Sequence, residues 1–172
     1  SVAGGTGGLV IHGENMIDLS GRSVSSAGDL NGDGFDELII GAVYGDGPAN
    51  GRLNGGDSYV IFGHAGGFAS PVDLVDVANG IGGFVIHGEE AGDHSGRSVS
   101  LAGDINGECF DDLIIGADSG DGPSNGRNDA GRREVGFGQE RGVGAPIGLV
   151  AEASCPGGRG RGRGRPPAAE AP

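Results

Sequence analysis

Oxygen-bearing side chains alternate along residues 29–37, in the pattern that a single tight loop needs to surround a cation. Asp29, Asn31 and Asp33 hold the first, third and fifth positions, and a glycine holds the sixth. The Phe35 carbonyl at position seven and the Glu37 carboxylate at position nine complete the set. Calcium takes six to eight hard oxygen ligands at about 2.3–2.6 Å. The spacing therefore predicts a Ca²⁺ site.

The same count applied further along the chain predicts a second, weaker site. Its five ligands are Asp104, Asn106, Glu108, the Phe110 carbonyl and Asp112. Cys109 replaces the glycine at position six, and a left-handed conformation there costs a non-glycine residue about 1–2 kcal/mol. The alternative for both loops is an Asp/Asn/Gly turn that only caps a hairpin.

These two loops belong to an internal repeat. Residues 10–56 recur as residues 85–131, with 32 of the 47 positions identical. The similarity continues in weaker form to about Val150. We therefore predict one repeat over residues 1–84, a second over 85–150 that is degenerate at its end, and a disordered Gly/Arg/Pro tail over 151–172.

Within one repeat, short β-rich segments alternate with glycine-rich turns. The predicted strands of the first repeat are residues 8–12, 22–27, 37–42 and 58–62. A single helical turn is expected within residues 72–78. Four antiparallel strands per repeat is the unit of a β-propeller blade. The predicted fold class is therefore all-β, with two four-stranded blades of an incomplete propeller, since a closed propeller has about four to eight blades.

The loop and its flanks also carry a family resemblance. The segment at residues 27–42, followed by Tyr59-Val60-Ile61-Phe62-Gly63, resembles the FG-GAP repeat of integrin alpha-like propellers, and is similar to the bacterial calcium-binding type. The proline of the family name is absent after the Gly-Ala pairs at 41–42 and 116–117, where Val43 and Asp118 follow instead. The resemblance implies calcium in an inter-strand hairpin loop, an extracellular setting, and adhesion or binding of a protein or polysaccharide ligand. An EF-hand is excluded because its loop needs an acidic ligand at position twelve, where this chain has Ile40. An EF-hand also needs a helix on each side, whereas both flanks here are predicted to be strands.

Composition narrows the class of partner. The chain has 172 residues, a net charge of −13 and 41 glycines. Such an acidic chain repels nucleic acid and attracts cations. No apolar stretch approaches the roughly 20 residues of a membrane span, so we expect none. No catalytic arrangement of Ser, His, Cys and Asp is evident, so we expect no enzyme activity in this segment; the alternative is an accessory propeller of a larger secreted hydrolase.

The remaining polar residues are expected to have structural roles. We expect His12 and His87 to be structural strand histidines, and Arg22 and Arg97 to form surface ion pairs. The loop at 44–57 has oxygens enough for another ion, but a glycine-rich hairpin connection is the favoured interpretation. We also expect the carboxylates at position eight of each loop, Asp36 and Asp111, to be solvated. Cys109 and Cys155 are expected not to pair with each other.

Overall fold

The computed structural model describes residues 8–68, 71–121, 131–136 and 138. The predicted tail at 151–172 lies outside these residues, as does the end of the second repeat beyond residue 138. Nearly all regular structure in the described part is β. The elements in chain order are β1 (Ile11–His12), β2 (Ser20–Gly28), β3 (Glu37–Ala42), β4 (Asp57–Ile61), β5 (Val72–Asp73), α1 (Leu74–Ala78), β6 (Gly83–His87), β7 (Ser98–Gly103), β8 (Asp112–Ala117) and β9 (Arg132–Gly136).

The first repeat folds into a four-stranded antiparallel sheet in the order β2-β3-β4-β6. Apolar and β-branched residues fill β3 and β4, which suits strands buried on both faces. Leu38 pairs with Ile61 and Ile40 with Tyr59 across the centre of the sheet. The expected strands at 37–42 and 58–62 are thus confirmed to within one residue, and the expected strand at 22–27 forms the middle of β2.

The strand that closes this sheet differs from the predicted one. Residues 8–12 were expected to form the first strand of the blade, but the outer position is taken by β6, which pairs with β4 from Asp57↔His87 to Ile61↔Gly83. The predicted repeat boundary after residue 84 falls inside this strand. The segment corresponding to β6 in the first repeat contributes β1, which pairs in parallel with β5 instead. The second repeat therefore begins with the outer strand of the first sheet.

The second repeat forms a three-stranded antiparallel sheet, β7-β8-β9, within the described residues. Four strands were predicted, and the positions that would correspond to β6 lie outside the described part. The two sheets pack face to face through one apolar cluster. Its buried members are Ala27, Leu30, Ile39 and Val60 from the first repeat, and Val99, Leu113 and Ile115 from the second.

The opposite face of the first sheet is covered by the chain itself. Leu74 and Val77 of α1 are buried against Ile40, Tyr59 and Ile61. Ile11 of β1 packs against the same cluster. The single helical turn expected within 72–78 is confirmed as α1, and it covers this face of β3 and β4.

Candidate cation loops

The first loop connects β2 to β3 as the turn of a hairpin, as the sequence predicted. Its oxygen side chains fold inward onto backbone N–H groups of the loop. The Asp29 carboxylate accepts hydrogen bonds from the N–H groups of Asp33 and Gly34 at 3.1 and 3.0 Å. Asn31 Oδ1 accepts from the N–H of Asp33 at 2.9 Å, and Asp33 Oδ1 accepts from Phe35 at 3.0 Å. These bonds tie the three predicted ligands to backbone N–H groups of the same turn.

Glu37 lies beneath the loop and is fully buried. Its Oε2 accepts a hydrogen bond from the Leu30 N–H at 2.7 Å, and its Oε1 accepts one from Asn31 Nδ2 at 3.4 Å. Burial, and to a lesser extent the negative charges of Asp33 and Asp29, together raise the pKa of Glu37 to about 7, against the lowering effect of the Leu30 hydrogen bond. Within the described part of the chain, no basic side chain forms an ion pair with Glu37, Asp29 or Asp33.

The second loop repeats this arrangement between β7 and β8. The Asp104 carboxylate accepts from the N–H groups of Gly107, Glu108 and Cys109 at 2.7–3.0 Å. Asn106 Oδ1 accepts from the Glu108 N–H at 3.1 Å. Asp112 is fully buried, like Glu37, and accepts from the Ile105 N–H at 2.8 Å. The two predicted ligand sets therefore occupy equivalent positions in the two hairpins.

The sixth position of each loop has the left-handed backbone that the sequence predicted. Gly34 has φ of 88° and Cys109 has φ of 79°. The conformation is free for glycine and strained for cysteine, so the second loop forms at a higher conformational cost. Glu108 Oε1 is also buried without a hydrogen-bond partner. Cys109 is disulfide-bonded. Cys155, with which it was expected not to pair, lies outside the described residues.

The loop carboxylates are turned onto backbone N–H groups rather than gathered around a common point. Across residues 8–68, 71–121, 131–136 and 138, no three His, Cys, Asp or Glu side chains form a group arranged to hold a metal ion. The oxygen-only donor set nevertheless suits calcium chemically. The argument for calcium therefore rests on donor type, spacing and the buried, uncompensated charge of Glu37.

The two loops also contact each other, which the sequence did not predict. Asp111 Oδ2 accepts a hydrogen bond from the Asp29 N–H at 3.0 Å, and the Asp111 N–H donates to the Asp29 carbonyl at 3.2 Å. Asp111 was expected to be solvated, and this was wrong because the carboxylate caps the start of the other loop. Asp36, at the same position of the first loop, is exposed as expected.

Most of the other predicted polar residues have structural partners, but no ion pair of Arg22 is seen among the described residues. His12 Nδ1 lies 2.9 Å from Asp73 Oδ1, and His87 Nδ1 lies 2.7 Å from Asp57 Oδ1, so both histidines bind an aspartate. Arg97 forms an ion pair with Asp118 at 3.5 Å, as expected. In the connection at 44–57, Asp46 Oδ1 accepts from the Asn54 N–H at 2.8 Å and closes the hairpin loop.

Antiparallel sheets stacked in sequence order, each with an oxygen-lined hairpin loop between its first two strands, define a repeat protein of the β-propeller type. Comparison with known families then gives the particular family. The model of the FG-GAP repeat matches residues 20–61, which span β2, the first loop, β3 and β4. The chain is an FG-GAP, integrin alpha-like repeat protein.

Similar proteins include both integrins and an enzyme. The chain is 34% identical over 122 residues to a phosphatidylinositol-glycan-specific phospholipase D of Dictyostelium discoideum, covering 67% of this chain and 12% of that protein. It is 32% identical over 110 residues to integrin alpha pat-2 of Caenorhabditis elegans, and 31% identical over 109 residues to the Caenorhabditis briggsae protein. Each integrin match covers 63% of this chain and 8% of the relative. The chain thus spans about a tenth of the length of these relatives.

Among the described residues, no helix has both the length and the apolar character needed to cross a membrane.

Proposed function

We propose that this chain is a calcium-binding segment of an extracellular integrin alpha-like propeller, with adhesion or ligand binding as the role of the whole protein. The ion is held in the hairpin loops and stiffens them. It would be held in the first loop by Asp29, Asn31, Asp33, the Phe35 carbonyl and Glu37, and in the second by Asp104, Asn106, Glu108, the Phe110 carbonyl and Asp112. The chain itself carries out no catalysis.

The observation that carries the proposal is the charge at the base of the first loop. Glu37 is fully buried beside Asp29 and Asp33, and burial raises its pKa to about 7. Bound calcium supplies the positive charge that this cluster lacks. Because the ion binds only the folded loop, its binding free energy adds to the stability of the hairpin.

Calorimetric titration of calcium into the chain tests this proposal. We expect binding heat with a dissociation constant of about 10⁻⁴–10⁻³ M. Asp29→Ala and Asp33→Ala remove ligands of the first loop and are expected to abolish that site. Asp36→Ala is the matched control, because it removes one exposed carboxylate from the same loop outside the ligand count. Absence of heat and of a thermal shift at millimolar calcium would refute the metal assignment.

The extracellular setting rests on the family of relatives. Two of these relatives are integrin alpha proteins, and the acidic composition of the chain suits a calcium-rich environment. The partner of the assembled protein is a protein or a polysaccharide, bound on a surface that needs further blades. Nucleic acid is disfavoured by the net charge of −13.

A second candidate function is the accessory propeller of a larger secreted hydrolase. It is favoured by the similarity to the phospholipase D of Dictyostelium, of which this chain spans 12%. The two candidates differ in what adjoins the repeats in the full-length protein. A hydrolase domain next to them supports the accessory role, and an array made of repeats alone supports the adhesion role.

A further inference from the structure

Several acidic side chains lie near the Tyr59 hydroxyl, at the end of the first sheet away from the hairpin loop at 29–37. The hydroxyl donates a hydrogen bond to Glu14 Oε2 at 2.6 Å. Asp57 is buried at the first position of β4. Burial raises the pKa of Tyr59, and its hydrogen bond to Glu14 and the charges of Asp57 and Asp18 raise it further. Three carboxylates thus act on one hydroxyl.

Asp18 lies inside this group. It is 4% exposed, and its Oδ2 has no hydrogen-bond partner. Burial raises its pKa, and the charges of Asp46, Asp57 and Glu14 raise it further. A buried oxygen of this kind is costly unless it binds a hydrogen-bond donor or a cation. We call these four residues the acidic cluster: Glu14, Asp18, Asp46 and Asp57.

The backbone holds together the two segments that supply most of the cluster. The Tyr44 N–H donates to the Asp18 carbonyl at 3.1 Å, which joins the turn before β2 to the connection between β3 and β4. In that connection, Asp46 Oδ1 accepts from the Asn54 N–H at 2.8 Å. Because a carboxylate has about four lone-pair sites, a bond of this kind leaves it able to bind a cation as well.

The cluster has no permanent positive charge beside it. In the described part of the chain, no arginine forms an ion pair with any of its four carboxylates. His87 Nδ1 lies 2.7 Å from Asp57 Oδ1, but this histidine is charged only when it is protonated. The guanidinium of Arg52, in the connection at 44–57, donates to the Gly88 carbonyl.

The second repeat has such a charge at the equivalent place. Arg132 is the first residue of β9, where the first repeat has Asp57 as the first residue of β4. Arg132 forms an ion pair with Glu89, which corresponds to Glu14. The second repeat therefore supplies a guanidinium at a position where the first repeat supplies one more carboxylate.

We propose that the acidic cluster binds a divalent cation, with Ca²⁺ as the ion, at a site separate from the two hairpin loops. Carboxylate oxygens are the ligands that hard cations such as calcium take. The ion supplies in the first repeat the positive charge that Arg132 supplies in the second. It also links the turn before β2 to the connection at 44–57. The proposal does not depend on cation binding by the hairpin loops.

The carboxylates must turn toward each other for the ion to bind. Among the described residues, no three His, Cys, Asp or Glu side chains are already arranged to hold a metal ion, here as in the hairpin loops. Like charges repel and turn apart when no cation lies between them. Asp18 and Asp46 both lie outside the strands, so their side chains can reorient without breaking the pairing of the sheet.

Terbium luminescence tests the proposal, because Tb³⁺ replaces Ca²⁺ at oxygen sites and its emission is sensitised by a nearby tyrosine. The chain has two tyrosines and no tryptophan. Tyr59 binds Glu14 and Tyr44 binds the backbone of Asp18, whereas neither hairpin loop contains a tyrosine. Wild-type chain is expected to show saturable, tyrosine-sensitised emission that excess Ca²⁺ displaces.

Single variants separate this site from the first hairpin loop. Asp18→Asn and Asp46→Asn remove a charge with little change of shape. Each is expected to weaken Tb³⁺ binding by about tenfold or more, since even a group behind a metal ligand typically contributes about tenfold. Asp33→Ala removes a ligand of the hairpin loop and is expected to retain the emission. Asp76→Asn, at an exposed carboxylate of α1, is the matched control and should bind like wild type.

Asp57→Arg places the residue of the second repeat in the first. It is expected to abolish the sensitised emission while the chain stays folded in a chelator, because the guanidinium can pair with Glu14 as Arg132 pairs with Glu89. Circular dichroism checks the fold of every variant. If Asp57→Arg does not fold, Glu14→Gln takes its place, since it keeps an acceptor for the Tyr59 hydroxyl and is expected to weaken Tb³⁺ binding.

Three results would overturn the proposal. The first is a wild-type chain without sensitised emission. The second is emission that Asp18→Asn and Asp46→Asn leave unchanged. The third is emission that Asp33→Ala abolishes and Asp18→Asn retains, which would assign the bound ion to the hairpin loop.

Discussion

Glu37 shows how one residue combines a structural and a proposed binding role. Its carboxylate accepts the Leu30 N–H from beneath the loop, and Asp112 accepts the equivalent Ile105 N–H in the second loop. The sequence predicted the importance of both residues from their place in the ligand count. The backbone bonds were not predictable, because they depend on how deeply each side chain is buried under its own turn.

Glu37→Ala is expected to destabilise the calcium-free chain by about 1–3 kcal/mol, since it leaves the buried Leu30 N–H without an acceptor. Glu37→Asp is the matched control and should retain most of the stability, because Asp112 performs the same role in the second loop. Chemical denaturation in the presence of a chelator measures both. Equal stability of Glu37→Ala and wild type would show that this bond contributes nothing.

Asp18 is another buried carboxylate, and it lies outside the two cation loops. It is buried, and its Oδ2 has no hydrogen-bond partner. Burial raises the pKa of Asp18 above its usual value of 3.8, the nearby charges of Asp46, Asp57 and Glu14 raise it further, and a hydrogen bond with the Asn15 side chain opposes the shift. The folded chain therefore holds this proton more tightly than the unfolded chain.

As pH rises above about 4, the unfolded chain loses the Asp18 proton first, so stability falls until the folded-state pKa is passed. Asp18→Asn removes this contribution and is expected to be more stable than wild type above that window, with a shallower pH dependence. Asp76→Asn controls for the loss of one acidic charge at an exposed site. Thermal denaturation across pH 4–8 checks the prediction, and parallel curves for Asp18→Asn and wild type would contradict it.

The strands and their loops were largely predictable at the scale of the element. Alternating and continuous apolar runs located β3 and β4 to within one residue, and the helical turn α1 lies where it was expected. The assignment of the outer strand was wrong because a repeat has no intrinsic starting point. Any cyclic shift of the strands within the repeat has the same periodicity, and only the pairing of β6 with β4 fixes which strand closes the sheet.

The contact between the loops at 29–37 and 104–112 can be tested at the scale of the element. Two equivalent glycines, one inside this contact and one outside it, separate its contribution to stability from the cost of the backbone conformation. Gly32→Ala and Gly107→Ala both place a side chain at positive φ, at 73° and 80°, so both carry a cost of about 1–2 kcal/mol. Only Gly32→Ala also collides with the Phe110 ring. We therefore expect the larger loss for Gly32→Ala, measured by chemical denaturation at a concentration where the chain is monomeric. An equal loss of stability in the two variants would show that the loop contact accommodates the added methyl group at no cost in free energy.

At the scale of the whole molecule, the sequence predicted the all-β class and the blade architecture. It did not predict which apolar residues of the two sheets are buried against each other. The apolar cluster between the sheets combines Leu30 and Val60 of one repeat with Val99 and Leu113 of the next. Their equivalents at the outer ends, Val24, Ile105 and Val135, remain exposed. Burial at these positions is decided by a neighbouring repeat, so identical sequence positions have opposite environments.

The central claim is that calcium binds and rigidifies the hairpin loops of this propeller segment. Amide hydrogen exchange, followed by mass spectrometry with and without millimolar calcium, tests it most directly because it locates the stabilised residues. We predict slower exchange over residues 29–37, a smaller effect over 104–112 because of Cys109 and Glu108, and no comparable effect of calcium on the Asp33→Ala variant. Unchanged exchange in both loops, or slowing spread evenly over the chain and retained in Asp33→Ala, would contradict the claim.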